Sequence, residues 1–438
     1  MDTGITTVAT NWGTMACFRR LCCRFCRIFS SPKCTRFYSV LLLVTIAFIY
    51  YNLFFFLTTN HLENPDFVGV NKCPACYGTS MCQEFSHGYL SLTSYSRMRF
   101  LDIVNVKNVF YGWHQKLNSD VILKRLGHNK ELDSFDRDIC KNAGAGVKCD
   151  VAKSIFKTKF SRVLETEMLT IADAEGLSDV VRCPSERLLE RITAKFMEYI
   201  PAKTPKKDWK MMLMTTLAIN PEPIMYMIFP KSEGWPFPQY YGACGRFIVQ
   251  DYVGKPLKSY FQKDWMTRLD LAFQVMRIAE KLTNNDQGYG LYMTDVSPEN
   301  FAVNEKGEVF IIDAENIIVV DKQKIKTDGK PLWDQQHQSF HDECKSHPGC
   351  LSFSSELLCK RHSSDHNYYA ICHGLLANTP GKPDESTGLL HDPPEHLLER
   401  EELIRLIAEC EMPSQQNGRY DAMQQLLQLL AKLTKRKN

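Results

Sequence analysis

Three oxygen-bearing side chains lie close together in sequence between residues 292 and 316. Asp295 begins the run Asp-Val-Ser-Pro-Glu-Asn, which ends at Asn300, and Asp313 follows the apolar run 309–312. A carboxylate can accept the proton of an attacking hydroxyl group, while a second carboxylate and an amide oxygen can hold Mg²⁺ on the phosphates of a nucleotide. These residue types therefore predict phosphoryl transfer, provided that short loops beside one hairpin bring the three groups together.

The spacing of these three residues resembles that of protein kinases. The kinase catalytic loop H-R-D-L-x-x-x-N places Asn five positions after Asp, as Asn300 follows Asp295. The interval of 13 residues from Asn300 to Asp313 is also the one that kinases show. The resemblance implies that Asp295 is the catalytic base and that Asn300 and Asp313 are metal ligands. It also implies ATP as the phosphoryl donor and Mg²⁺ or Mn²⁺ as the cofactor.

Two upstream segments extend the resemblance to a whole nucleotide site. Lys124, at the end of the run Val-Ile-Leu-Lys, resembles the strand lysine of V-A-I-K, whose catalytic role is to bind the α- and β-phosphates. The segment 247–257 resembles the hinge that binds adenine through main-chain groups. This likeness implicates Asp251 and Val253 in cofactor binding.

Two further acids are expected to support the site. A kinase pairs its strand lysine with an acid, and Glu131 is the first choice to pair with Lys124. Asp138 and Glu165 are the alternatives to Glu131. Asp365, in the run Asp-His-Asn-Tyr-Tyr, resembles the buried Asp at the start of the kinase helix that supports the catalytic loop.

Several kinase features are replaced. The segment before the strand lysine has Gly112 alone instead of a glycine-rich loop, and the His and Arg of the catalytic loop are Met293 and Thr294. The lysine two positions after the predicted base is Ser297, and the metal-binding D-F-G motif ends in Glu315. These departures favour the alternative function, a catalytically inactive pseudokinase that acts as a luminal scaffold or as a shed or secreted signalling ligand.

The hydrophobic pattern predicts an α+β protein. Apolar and polar residues alternate over 100–126, and 246–253 is apolar and rich in β-branched and aromatic residues, so both segments predict strands. Residues 130–200 read as helical, and 267–282 has the spacing of a long amphipathic helix. A sheet followed by helices, together with the kinase motifs, predicts a bilobal protein-kinase-like fold with a large insertion between the strand lysine and the hinge.

An apolar segment sets the predicted compartment. Residues 40–57 carry no formal charge and, at about 1.5 Å rise per residue, are long enough to cross a thin bilayer. Six basic residues precede the segment, so the positive-inside rule places the following chain in the lumen. The alternative, a cleaved signal peptide, is disfavoured by the bulky side chains at 54–56. The predicted divisions are a cytosolic basic tail 1–38, a transmembrane signal anchor 39–57, a polar stem 58–72, a cysteine-rich start and sheet lobe 73–250, and a helical lobe 251–438.

The cysteine content agrees with a luminal domain. Of the 17 cysteines, 12 lie beyond the predicted anchor, and an even number suits disulfide bonds in an oxidising compartment. Cys73 and Cys76 are predicted to form a structural disulfide rather than half of a zinc site or a redox motif. The formal net charge of +3 is close to balance, which argues against a nucleic-acid partner.

Longer motifs resemble one family of divergent kinases. The marks include N-K-C-P-A-C-Y-G-T-S at 71–80, N-P-E-P at 220–223, Y-G-A-C-G-R at 241–246 and D-H-N-Y-Y-A at 365–370. On these residues the chain is identified as a member of the divergent protein kinase domain 2 family, the deleted-in-autism-1 and FAM69-related group. The resemblance implies residence in the Golgi or endoplasmic reticulum, or secretion. It also implies ATP-dependent phosphorylation of a luminal or secreted protein or glycan, with a role in secretion or in growth and survival signalling.

Overall fold

A computed structural model describes residues 39–51, 61–93, 108–340, 351–377 and 388–435. The chain divides into two units, residues 1–59 and residues 60–438. In the first unit, residues 39–51 form a helix with exposed side chains. This helix lies within the predicted anchor, whereas the predicted tail 1–38 and residues 52–57 lie outside the described residues. No helix in the described ranges is both long and apolar enough to cross a membrane.

The described residues of the second unit form one five-stranded sheet and two smaller ones. The large sheet is antiparallel throughout, in the order β1-β2-β3-β5-β4. β7 pairs with β10, and β8 lies between β6 and β9. The strands are β1 Leu90–Leu92, β2 Val109–His114, β3 Ser119–Arg125, β4 Tyr240–Cys244, β5 Phe247–Asp251, β6 Lys255–Pro256, β7 Tyr289–Met293, β8 Phe301–Val303, β9 Val309–Ile311 and β10 Ile317–Asp321.

The strands predicted from alternation are confirmed where the structure describes them. β2 and β3 form a hairpin in which Val109 is opposite Lys124, and Asn118 adopts a left-handed conformation in its turn. β5 falls within the segment predicted as a strand at 246–253. Residues 100–107 of the first predicted strand lie outside the described residues.

The described helices surround these sheets and fill most of the later chain. The long helix predicted at 267–282 is α9, which begins after Asp264, whose side chain accepts a hydrogen bond from the Thr267 amide. The helices are α1 Pro65–Val68, α2 Cys82–Ser86, α3 Asn129–Asn142, α4 Val151–Ser154, α5 Ile171–Ala174, α6 Glu186–Glu198, α7 Lys206–Ile219, α8 Glu222–Ile228, α9 Trp265–Thr283, α10 Lys322–Asp328, α11 Ser355–Lys360, α12 His366–Ile371, α13 Arg400–Glu411 and α14 Gly418–Thr434.

The predicted polar stem is wrong for residues 61–72. Leu62 and Val68 are buried in a core cluster with Phe110 and Phe247, and the ring of Phe67 lies 5.2 Å from that of Phe247. This segment therefore packs on the face of the large sheet that includes Phe110 and Phe247. The polar composition of the segment hid these few apolar residues, which are enough to fix it by hydrophobic burial.

Five disulfides join the described cysteines in pairs. Cys82–Cys244 and Cys183–Cys359 close loops of 162 and 176 residues, and the others are Cys73–Cys76, Cys140–Cys149 and Cys372–Cys410. In the chain-entropy model each of the two long loops stabilises the fold by about 5 kcal/mol. The prediction of a disulfide at Cys73 and Cys76 is confirmed. Cys344 and Cys350 lie outside the described residues.

Candidate active site

A cleft of about 720 Å³ lies between one face of the large sheet and the loops that follow β7 and β9. Directly opposed residues of antiparallel strands point to the same face. Because Val109 pairs with Lys124, and Ile122 with both Tyr111 and Gln250, these five side chains share the face that lines the cleft. The facing wall contains Asp295, Asn300, Ala302, Ile312 and Asp313.

Lys124 is held at the inner end of this cleft. Its ammonium group donates to Glu222 Oε1 at 2.7 Å and to the main-chain oxygen of Ile312 at 2.6 Å. Ile312 immediately precedes Asp313, so the lysine bridges the sheet and the predicted metal ligand. The Lys124 side chain is 11% exposed and that of Glu222 is 2% exposed. A buried ammonium group therefore lies at the site where the sequence predicts a phosphate-binding lysine.

The prediction that Glu131 pairs with Lys124 is wrong. Glu131 is exposed on the first turn of α3, where its side chain accepts a hydrogen bond from the His128 amide at 2.7 Å. Glu131 lines the cleft but stabilises the start of its own helix instead of pairing with Lys124. The alternatives, Asp138 and Glu165, are also exposed and make no ion pair with Lys124.

Glu222 reaches the lysine through a sharp break between two helices. α7 ends at Ile219, and Asn220 Oδ1 accepts a hydrogen bond from the Glu222 amide at 2.9 Å, which starts α8. Tyr226, one turn later, donates its hydroxyl to Glu222 at 2.9 Å, and the main-chain oxygen of Ile312 lies 3.2 Å from the same hydroxyl oxygen. The sequence signal for this residue is the N-P-E-P motif at 220–223, a family mark that does not by itself identify the acid.

The charges around Lys124 do not balance. Burial lowers the pKa of Lys124, but Glu222 and Asp313 outweigh burial and raise it. Burial raises the pKa of Glu222, with Lys124 acting against burial and Asp313 acting with it. Burial, followed by the carboxylates of Asp313 and Glu222, raises the pKa of Glu315 to about 7. One ammonium group thus faces three carboxyl groups, and this excess of negative charge favours a bound cation.

The three residues predicted to carry chemistry meet in one recess. Asp295, Asn300 and Asp313 all line it. The Ile312 amide donates to the main-chain oxygen of Asn300 at 2.8 Å, and Asn300 Nδ2 donates to the main-chain oxygen of Asp295 at 3.4 Å. These contacts hold residues 294–300, the catalytic-type loop, against the end of β9. Asp295, Asn300 and Asp313 therefore lie together, as their spacing predicts.

The recess offers oxygen ligands of the kind that Mg²⁺ prefers. The carboxylate of Asp313 and the amide oxygen of Asn300 are hard donors, and Mg²⁺ in nucleotide sites takes a few such groups together with phosphate oxygens. Within the described ranges, no three His, Cys, Asp or Glu side chains form a cluster that could hold a metal. With one carboxylate and one amide oxygen, Asp313 and Asn300 fit an ion that also takes ligands from a nucleotide.

The two residues after Asp365 contact Met293 at the end of β7 and thereby support the catalytic-type loop that follows it. His366 Nε2 lies 2.8 Å from the main-chain oxygen of Met293, and the Met293 amide donates to Asn367 Oδ1 at 3.0 Å. Met293 lies two residues before Asp295. Asp365 itself is fully buried and pairs with Arg419 at 2.5 Å. The support of the loop that is predicted for Asp365 thus comes from the side chains of His366 and Asn367.

The predicted hinge lies at the outer end of β5. Asp251 pairs with Lys231 at 2.8 Å, and the Val253 amide donates to no protein acceptor among the described residues. Gly254 has a φ of 102°, and a side chain there would meet the Val303 oxygen at 1.9 Å, so glycine allows the hinge to lie against β8. A free N–H at Val253 leaves a main-chain donor for a ligand.

The insertion between Lys124 and Gln250 also contributes to the cleft. Its residues Gly176, Ser178 and Arg182 line the cleft. In the sequence the glycine-rich loop is absent. The insertion therefore supplies part of the cleft lining in a chain whose sequence has no glycine-rich loop.

Comparison with known proteins gives one consistent result. Residues 214–413 match a family model described as the protein-kinase domain of FAM69. Divergent protein kinase domain 2A of Xenopus tropicalis is 43% identical, covering 94% of this chain and 97% of that protein. The human 2A protein is 43% identical over 86% of this chain and 90% of its own length. Divergent protein kinase domain 2B of Mus musculus is 34% identical over 59% of this chain and 61% of its own length.

Proposed function

The chain belongs to the divergent protein kinase domain 2 family, and we propose that it binds ATP with Mg²⁺ and transfers a phosphoryl group to a hydroxyl group. The observation that carries the proposal is the buried contact of Lys124 with Glu222 and with Ile312, the residue before Asp313. This contact unites the phosphate-binding lysine, its acid and the metal-binding segment in one cleft.

Five groups of residues in the cleft have roles in the proposed reaction: the strand lysine, the hinge, the base and the two metal ligands. The ammonium group of Lys124 orients the α- and β-phosphates, and the main-chain groups of Asp251 and Val253 bind the adenine ring. Asp295 accepts the proton of the acceptor hydroxyl as that oxygen attacks the terminal phosphorus, and the bond from this phosphorus to the bridging oxygen breaks with ADP as the leaving group. Asn300 and Asp313 would hold Mg²⁺, which neutralises charge on the phosphates when it is bound.

The proposed location is the lumen of the Golgi or endoplasmic reticulum. The uncharged segment 40–57 supports a single-pass type II anchor over residues 39–57. The five disulfides support an oxidising compartment. The acceptor is then a hydroxyl group of a luminal or secreted protein or glycan, and the sheet and the later helices act as two lobes on either side of the nucleotide.

Nucleotide binding is tested by thermal unfolding of the full-length chain. ATP with Mg²⁺ raises the Tm of the wild type, and the Asp313→Ala variant loses this rise because a ligand of the metal is missing. Asp286→Ala, at an exposed residue outside the cleft, is the matched control and keeps the rise. An equal rise in Tm for the wild type and Asp313→Ala contradicts the proposal.

A second function, that of a pseudokinase scaffold or signalling ligand, is favoured by one observation. Glu315 replaces the glycine of D-F-G and adds a third carboxyl group beside Lys124. An assay with radiolabelled ATP separates the two functions. Label that is incorporated by the wild type and lost in Asp295→Asn excludes the pseudokinase, while nucleotide binding without label in any acceptor supports it.

A further inference from the structure

Gln250 is a buried polar residue in the cleft to which the reaction assigns no role. Its side chain is 1% exposed, and its Oε1 accepts no hydrogen bond from any residue that the structure describes. Buried polar groups in folded proteins nearly always have a partner, because an unpaired acceptor loses its hydration without compensation. The unpaired oxygen therefore indicates that the partner of Gln250 comes from outside the protein.

The position of Gln250 identifies which part of a nucleotide it would meet. Gln250 lies directly before Asp251 on β5. Ile248 lies two residues earlier on the same face and is opposite Lys124 on the neighbouring strand. The phosphates lie toward Lys124, and the predicted hinge begins at Asp251. Gln250 is thus on the side of the cleft where the base enters.

The surroundings of Gln250 suit a flat, neutral ligand with a polar edge. Its direct neighbours across the sheet are Ile122 and Tyr240, both buried. Ile122 faces the cleft, with Ala302 on the opposite wall. An apolar slot with one carboxamide at its inner end resembles the general pattern of small-molecule sites, in which few polar groups fix the orientation.

We propose that Gln250 accepts a hydrogen bond from the 6-amino group of adenine and thereby selects ATP over purine nucleotides that lack this group. This inference rests on the proposed nucleotide site. An amino group has two N–H donors, so one can donate to the main-chain oxygen of Asp251 and the other to Gln250 Oε1. The last torsion of glutamine is broad, and rotation about it turns the oxygen toward the base.

The experiment compares ATP with purine riboside 5′-triphosphate, which carries hydrogen in place of the 6-amino group. Affinities are measured with Mg²⁺ on the full-length chain for the wild type, Gln250→Leu and Gln250→Glu. We expect the wild type to prefer ATP and Gln250→Leu to lose about tenfold of that preference, since a buried site that is built for a hydrogen bond discriminates strongly. Gln250→Glu keeps an acceptor oxygen and retains most of the preference.

Gln239→Leu is the matched control. Gln239 precedes β4 outside the cleft, and its Nε2 donates to the Tyr240 oxygen. The control should keep the wild-type preference. An unchanged preference in Gln250→Leu, with ATP still bound, overturns the inference alone. A wild type that binds neither triphosphate overturns the proposed function and the inference together.

Discussion

Arg419 and Asp365 form a buried ion pair that the protein itself completes. The pair is 2.5 Å long, and the two side chains are 2% and 0% exposed. Arg419 also donates to the main-chain oxygens of Ser339 at 3.0 Å and Cys410 at 2.6 Å, and Asp365 accepts from the Ser339 amide at 2.8 Å. One positive charge therefore meets one negative charge, and protein groups occupy the remaining positions.

Lys124 and Glu222 form a pair of similar burial with a different outcome. Their contact is 2.7 Å, but Asp313 and Glu315 add two more carboxyl groups, and the set lines a cleft. Burial of an ion pair does not by itself mark a functional site. A balanced pair stabilises the fold, while an unbalanced set beside a cleft leaves charge for a ligand to neutralise.

The largest loss of stability is expected when the ion pair of Arg419 and Asp365 is broken. Arg419→Met leaves Asp365 buried without a counter-charge and should lower the free energy of unfolding by about 3–5 kcal/mol. Urea denaturation measures this loss. The double variant Arg419→Met with Asp365→Leu removes both charges and should recover part of it. A loss confined to nucleotide binding, with unchanged unfolding, would contradict the structural role of this pair.

Lys124→Met should have a smaller and pH-dependent effect. Removal of the ammonium group raises the pKa of Glu222 further, because Lys124 lowers it. A group whose pKa is raised by folding stabilises the folded state at low pH, and this contribution is lost as the pH rises through the folded pKa. We expect Lys124→Met to lose about 2 kcal/mol at pH 8, less than the balanced pair because the cleft admits water, and to lose less at pH 5.

The control for Lys124→Met is Lys231→Met, which breaks the more exposed pair with Asp251. Unfolding of both variants is measured at pH 5 and pH 8. The deficit of the control should change little with pH. An equal deficit of Lys124→Met at the two pH values would show that the buried carboxyl groups do not take up the proton as the comparison requires.

Sequence reasoning succeeded where contacts follow from local spacing. Asp295, Asn300 and Asp313 lie within 19 residues, and one hairpin of β8 and β9 converts their spacing into proximity. The strand lysine was also predictable, because the register of β2 and β3 follows from alternation and a short turn.

The partner of Lys124 was not predictable in this way. Glu222 lies 98 residues further along the chain, beyond an insertion, and only the break between α7 and α8 brings it to the cleft. Glu131 is closer to Lys124 in sequence, but its side chain accepts a hydrogen bond at the start of α3 instead. Pairings across insertions depend on tertiary packing, which local patterns do not encode.

A smaller change in stability is expected at Glu315, the third carboxyl group near Lys124. Burial and the neighbouring carboxylates raise the pKa of Glu315 to about 7 from an ordinary value of 4.5, so the folded state binds this proton more tightly than the unfolded chain. Stability from this group is present below pH 4.5 and is lost as the pH rises to about 7. Full linkage of the two pKa values amounts to about 2.5 kcal/mol between pH 5 and pH 8, and solvent screening of the half-buried Glu315 reduces it. The wild type should therefore lose roughly 1–2 kcal/mol of unfolding free energy more than Glu315→Gln does. Glu305→Gln, at an exposed residue, is the control and should follow the wild type. If Glu315→Gln also follows the wild type, folding does not raise the pKa of Glu315. The excess negative charge near Lys124 is then limited to Glu222 and Asp313.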